Sequence, residues 1–154
     1  MDRETRATVD EHRALRLWLR LLTCSQLIER HVRSRLRERF GTTLPRFDLL
    51  SQLERHPRGL KMSELSRLLM VTGGNVTGIV DQLVKEGLVE RVGDAEDRRA
   101  WRVTLTRAGD KAFAEMARAH EEWVIELLGG LTRKESEALM QLLARLKQTT
   151  LEHS

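Results

Sequence analysis

Between Val76 and Val84 the apolar residues recur at intervals of three and four: Val76, Ile79, Val80, Leu83 and Val84. In a helix they share one face, and that face must be buried. The opposite face carries Gly74, Asn75, Gly78, Asp81, Gln82 and Lys85, all small or polar. Asn and Gln can each pair bidentately with adenine, and glycines let a backbone come close to a groove wall. Thr72 is placed to cap this helix, which leaves N–H groups at its start free for a phosphate. An ordinary amphipathic helix, polar outside only because it is wet, fits the same pattern. The neighbours decide between the two.

Upstream, Met62-Ser63-Glu64-Leu65-Ser66-Arg67-Leu68-Leu69-Met70 reads as a short helix that leads through Val71-Thr72 into the longer one. A short helix, a tight turn and a second helix with a small polar face are the parts that enter a DNA major groove. Downstream, Gly87 stops the helix, and Leu88 to Val92 alternates apolar and polar residues as a strand does. Gly93 to Arg99 is a polar loop, and Trp101, Val103 and Leu105 then share one face of a second strand. Asp97 and Arg99 can pair and stiffen the loop while Arg98 or Arg99 points outward. An arginine held at a loop tip suits a narrow minor groove, where the negative potential is deepest. As a surface ion pair alone it would contribute only about 0–1 kcal/mol, a poor reason for its presence.

These residues resemble the MarR family of bacterial transcriptional regulators. The family's pattern joins a leucine-rich first helix, a recognition helix ending in D-x-L-x-x-x-G-L-V-x-R, and a wing of D-x-R followed by V-x-L-T. Here Asp81-Gln82-Leu83 leads to Gly87-Leu88-Val89-Glu90-Arg91, then come Asp97-Arg98-Arg99 and Val103-Thr104-Leu105-Thr106. The resemblance implies a winged helix-turn-helix, mainly α with a small β-hairpin wing, and long N- and C-terminal dimerisation helices. It implies one domain over 1–154, with the winged module at about 44–106 and dimerisation helices at 11–40 and 107–150. The expected function is that of a cytoplasmic homodimeric repressor on a pseudo-palindromic operator in double-stranded DNA. Thr72, Gly73, Gly74, Asn75, Thr77, Gly78, Gln82, Lys85, Arg98 and Arg99 are its expected DNA-binding residues, with Asp97 as wing support. The glycines depart from the pattern by leaving few long side chains to read bases.

The flanks carry helical patterns. Leu15, Trp18, Leu19 and Leu22 mark an apolar stripe from about Glu11 to Phe40, closed by Gly41. Phe47, Leu50 and Leu53 face inward from a short helix ended by Pro57 and Gly59. Thr106 caps a long helix with Phe113, Met116, Trp123, Val124 and Leu127 apolar, broken at Gly129-Gly130. Thr132 and Glu135 have capping-box spacing and open a last leucine-rich helix. Residues 1–60 are clearly basic, whereas 61–106 carry as many acids as bases. Bulk electrostatics therefore does not mark the reading head, and the argument rests on where Lys85, Arg98 and Arg99 project. No apolar run approaches the roughly 18–20 residues of a membrane span, and Met1 to Glu11 is charged throughout. No membrane association is expected.

A phosphate loop, a nucleophile elbow and H-E-x-x-H are all missing, and the five histidines lack ligand spacing. The chain is expected to be neither an enzyme nor a metal or cofactor protein. A single cysteine excludes an intrachain disulfide framework. One branch of the resembling family senses peroxides through such a cysteine, paired with tyrosines, but this chain has no Tyr. Cys24 is accordingly read as a buried small hydrophobe. The family's effectors are mostly small aromatic acids, and the texture here also resembles the branch responding to aromatic acyl-CoA thioesters. Trp18, Leu22, Phe47, His120 and Trp123 would wall the effector, and Arg30, Arg33 and Arg37 would clamp its charge. The alternatives are a winged-helix adaptor or ligand-binding protein without operator function, and a redox-sensing repressor built on Cys24.

Overall fold

Arg3 to Phe40 contains neither Gly nor Pro and is rich in Arg and Leu, both good helix formers. In the computed structural model, which describes residues 3–69, 73–97 and 99–154, it is one helix, α1 (Arg3–Phe40). It starts well before Glu11, because propensity sustains its charged first turns where the apolar stripe has not begun. The remaining elements are α2 (Leu44–Arg55), β1 (Leu60–Lys61), α3 (Met62–Leu69), α4 (Gly73–Lys85), β2 (Val89–Gly93), β3 (Trp101–Leu105), α5 (Arg107–Leu127) and α6 (Arg133–Glu152). They form two compact units, Met1–His120 and Glu121–Ser154.

In the first unit the core gathers Val32 and Leu36 of α1, Phe47, Leu49, Leu50 and Leu53 of α2, and Leu65 of α3. Val76, Val80 and Leu83 of α4 join them, and all three are fully buried. Burying each such side chain stabilises by about 1.5–3 kcal/mol, so this stripe of α4 is fastened inward. Its companions Ile79 and Val84 are half-buried. The sheet is antiparallel in the order β1-β3-β2, with Leu60 opposite Val103 and Val89 opposite Leu105. The sequence reading gives a two-stranded hairpin and misses β1, whose two residues are too few to show a period. Trp101, Val103 and Leu105 alternate along β3 as expected, but only Val103 in the middle is fully covered, while Leu105 is half-buried and Trp101 is exposed.

The end of α4 is fixed by backbone geometry. Gly87 has φ +76, the left-handed region, and donates to Val84 O at 3.0 Å while Leu88 donates to Leu83 O at 3.0 Å. These two bonds make a Schellman cap. Thr106 then joins this turn to α5. Its N–H donates to Leu88 O, its hydroxyl to Gly87 O, and its oxygen accepts from Gly109 N at 3.0 Å. The first turn of α5 lies so close that a Cβ on Gly109 would sit 1.8 Å from Leu88 O.

In the second unit Thr132 and Glu135 close a reciprocal capping box, Glu135 N donating to Thr132 Oγ1 at 3.1 Å and Thr132 N to Glu135 Oε1 at 2.9 Å. Leu139, Leu142, Leu143, Leu146 and Leu151 of α6 are exposed in the single chain, as are Leu15, Trp18 and Leu19 of α1. Cys24 is exposed too, which corrects the expectation that it is buried. Its neighbours Thr23 and Ser25 are exposed as well, whereas Leu21 and Leu22 are half-buried. Among the described residues no helix is long and apolar enough to cross a membrane.

Two glycine substitutions test this packing in opposite directions. Gly78→Ala, in α4 with open space around its Cβ position, should raise stability by about 0.5–1 kcal/mol. Gly109→Ala, which has the same propensity gain, should instead destabilise by about 1–3 kcal/mol or more through overpacking against Leu88. Urea unfolding of both variants measures the difference, and similar stabilities would contradict the close approach.

Candidate nucleic-acid interface

With Val76, Val80 and Leu83 buried, α4 presents Asn75, Thr77, Gly78, Asp81, Gln82 and Lys85 to solvent. The face expected to read bases is thus assembled on one described helix. Gly73 and Gly74 form its first turn, while Thr72 and Arg98 lie outside the described residues. The nearest charges on this face are Asp81 and Glu86, which a DNA backbone would repel. Both are neutralised. Arg91 of β2 pairs with Asp81 and ties the wing's first strand to the helix. Arg46 of α2 pairs with Glu86, donates to Gln82 Oε1 at 3.2 Å and to Thr42 Oγ1 at 3.2 Å, and is itself largely buried.

This Arg46 brace escaped the sequence reading because its partners lie 36 and 40 residues away. The signal that could have found it is the acidic residue itself: a carboxylate on a phosphate-facing helix calls for a cation nearby. The brace also changes what Gln82 can do. A bidentate pair with adenine needs both the amide oxygen and the amide N–H. With Oε1 held by Arg46, Gln82 keeps only its N–H donors for a base edge unless that bond opens.

The wing is held by Asp94. Its carboxylate is almost wholly buried, lies 3.4 Å from Lys61 Nζ of β1 and 3.6 Å from Arg102 Nε of β3, and accepts from Glu96 N at 3.1 Å. Arg102 also donates to Gly59 O at 3.0 Å. Asp97 acts differently: its side chain accepts the backbone N–H of Arg99 at 3.0 Å, and no ion pair joins the two side chains among the described residues. An Asx-type turn therefore shapes the tip in place of the expected pair, leaving the exposed Arg99 side chain unspent. The two aspartates look alike in the sequence, and only the fold makes Asp94 the anchor.

The residues expected around an effector separate into groups. Phe47 is buried with its ring 4.9 Å from His120 and 5.6 Å from Phe113. Beside them Asp48 is held above the usual carboxylate range, chiefly by desolvation and further by Glu29, against the opposing pull of His120 and Arg33. The structure thus brings Phe47, His120 and Arg33 into one neighbourhood. Arg33 and Arg37 line a cavity at the α1–α2 junction. Trp18 and Arg30 are exposed, Leu22 is half-buried, and none of the three lines that cavity. Trp123 is buried and belongs to the second unit. Among the described residues no cluster of His, Cys, Asp or Glu could hold a metal.

Residues 40–100 match the profile of the MarR family. A MarR family transcriptional regulator from Silicibacter pomeroyi superposes with a TM-score of 0.77 at 31% identity, covering 92% of this chain and 97% of that one. The chain belongs to the MarR family. A mutant MarR from E. coli complexed with operator DNA superposes with a TM-score of 0.74 at 25% identity, covering 87% and 95% of the two chains. The transcriptional activatory protein BadR of Rhodopseudomonas palustris is 32% identical over 106 residues, 68% of this chain. That alignment spans 60% of the length of BadR.

In this MarR-family chain the Asp94 anchor has a definite pH signature. The Glu96 N–H, then Lys61 and Arg102, favour the charged carboxylate and hold it below its ordinary value of 3.8 despite burial. A depressed folded value means the anchor stabilises the wing fully above the unfolded value and is lost as pH falls through the folded one. The Glu96 amide resonance should therefore stay fixed through the ordinary carboxylate range and move only at more acidic pH. Asp94→Asn should abolish that transition and loosen the wing already at neutral pH. An unchanged acid transition in Asp94→Asn would remove Asp94 as the anchor.

Proposed function

We propose that this chain is a homodimeric, sequence-specific DNA-binding transcriptional regulator, a repressor whose operator affinity is lowered by a small organic acid. The observation that carries the reading is the bare, solvent-facing side of α4 set beside a wing with an outward Arg99. The operator complex of the E. coli MarR mutant supports it by analogy of fold. Activation is a second reading, favoured by the activatory role in the name of the R. palustris relative. A reporter driven by the DNA upstream of this coding region, with and without the protein, distinguishes them by the sign of the change.

In this reading residues 44–106 are the reading module and 11–40 with 107–150 the dimerisation helices of a single domain. Gly73, Gly74, Asn75, Thr77, Gly78, Gln82 and Lys85 approach the major groove, with Thr72 at the helix start. Arg98 and Arg99 enter the minor groove and Asp97 shapes the tip. Exposed leucines on α1 and α6 support a second copy as their cover. Aromatic acids and their CoA thioesters are the effectors to test first, since the guanidinium groups of Arg33 and Arg37 suit a carboxylate or phosphate. The site is proposed to be soluble-phase and cytoplasmic, with no catalytic role.

Arg99→Ala should weaken binding to the upstream DNA at least tenfold and lower the salt slope, with the dimer intact. Gly78→Gln should also cut binding, by steric exclusion, although it keeps the fold. Gel-shift titrations at two salt concentrations check both, and wild-type affinity in Arg99→Ala would take the wing out of the mechanism. Cys24→Ser should leave binding and release unchanged. Peroxide-triggered release seen in the wild type and lost in Cys24→Ser would replace the organic-acid reading with a redox one.

A further inference from the structure

We infer that Arg46 presets the amide of Gln82 so that α4 reads a guanine, and not an adenine, at the base pair Gln82 meets; this rests on the regulator reading above. Gln82 lies on the exposed side of α4, one turn after Gly78 and one turn before Glu86. At Gly78 the space where a Cβ would stand is open. A base edge can therefore come up to the Gln82 amide without meeting a side chain from the preceding turn.

The orientation of that amide is set from behind. Arg46 Nη1 donates to Gln82 Oε1 at 3.2 Å. A guanidinium carries five N–H donors and no acceptor, so only the oxygen end of the amide can face it, and the NH2 end turns away. The guanidinium is not free to follow the amide. Its Nε donates to the buried Thr42 hydroxyl at 3.2 Å, and its Nη2 pairs with Glu86. Three partners on one planar group fix both its position and its plane. Only 15% of the Arg46 side chain is exposed, so water competes poorly for these donors.

Base preference follows from the fixed amide. A glutamine pairs with adenine by giving an N–H to N7 and accepting from the N6 amino group. Here the accepting half is impaired. Oε1 is already engaged by Arg46, and its remaining lone pair lies beside a cation that repels the adenine amino group. The NH2 end meets no such penalty, and polarisation of the carbonyl by Arg46 strengthens it as a donor. In the major groove guanine offers two neighbouring acceptors, N7 and O6, thymine offers one, and cytosine offers only a donor. Gln82 held in this way ranks guanine first and cytosine last. Arg46 is thus a positioning residue that acts through Gln82, and its partners Thr42 and Glu86 share in the setting.

Selection of binding sites from random duplex DNA by the full chain, by Gln82→Ala and by Arg46→Met tests this. The position read by Gln82 is the one whose preference disappears in Gln82→Ala. Guanine should exceed adenine there by about tenfold in the wild type, and adenine should equal or exceed guanine in Arg46→Met. Weaker binding by Arg46→Met with the guanine preference intact would leave Arg46 a structural brace only and overturn the inference. Adenine in the wild type overturns it as well, and so does a Gln82→Ala variant that selects the wild-type sequence unchanged. Should Arg46→Met not fold, Thr42→Val frees Nε while keeping the cation that faces Glu86. The guanine-to-adenine ratio should then fall by about twofold or more, and an unchanged ratio overturns the inference. Recovery of no common sequence by the wild type sinks the regulator reading itself, whereas a common sequence with adenine at this position sinks the inference alone.

Discussion

The close approach of Gly109 to Leu88 fixes the reading head. At this point the Schellman cap of α4 turns into β2, and the first turn of α5 packs directly on the turn's backbone. Three hydrogen bonds of Thr106 converge there: one to Leu88, one to Gly87 and one from Gly109. No side chain intervenes, so the contact has almost no compliance. Any tilt of α4 must either break these bonds or carry the start of α5 with it. The end of α4 is thus joined directly to the first turn of α5.

Charge in the module is spent internally. Residues 61–106 hold balanced acids and bases, and several of them pair with one another: Arg91 with Asp81, and Lys61 and Arg102 with Asp94. Arg46 comes from outside that segment to answer Glu86. Partly exposed pairs such as Arg91–Asp81 contribute little to stability, about 0–1 kcal/mol. Their larger effect is geometric, since each links α4 or the wing to a different neighbouring element. Lys85 and Arg99 remain exposed.

The legible parts of the fold were those with local causes. The period of Val76, Val80 and Leu83, the stop at Gly87, the Thr106 cap and the Thr132–Glu135 box are all written within a few residues, and each is present. What escaped depends on long-range pairing. β1 exists because Leu60 and Lys61 find β3 more than forty residues on. Arg46 and Asp94 matter because the fold delivers distant partners to them. Trp101 follows strand alternation yet faces solvent, since alternation tells which residues share a face and not how far the cover extends. The same limit applies to Cys24.

The first helix shows why such cover cannot be read from pattern alone. Its periodicity continues through Leu15, Leu19, Leu22, Val32 and Leu36, yet Val32 and Leu36 are buried while Leu15 and Leu19 stay half exposed. The difference lies in the partner: α2 packs against α1, whereas residues 12–20 of α1 are all exposed. Leu17, Trp18 and Leu19 are consecutive and all exposed, so they spread over a wide arc, because successive residues turn by about 100°. A single flat neighbour could cover only part of that arc. A cover for all three would have to meet the helix from more than one side.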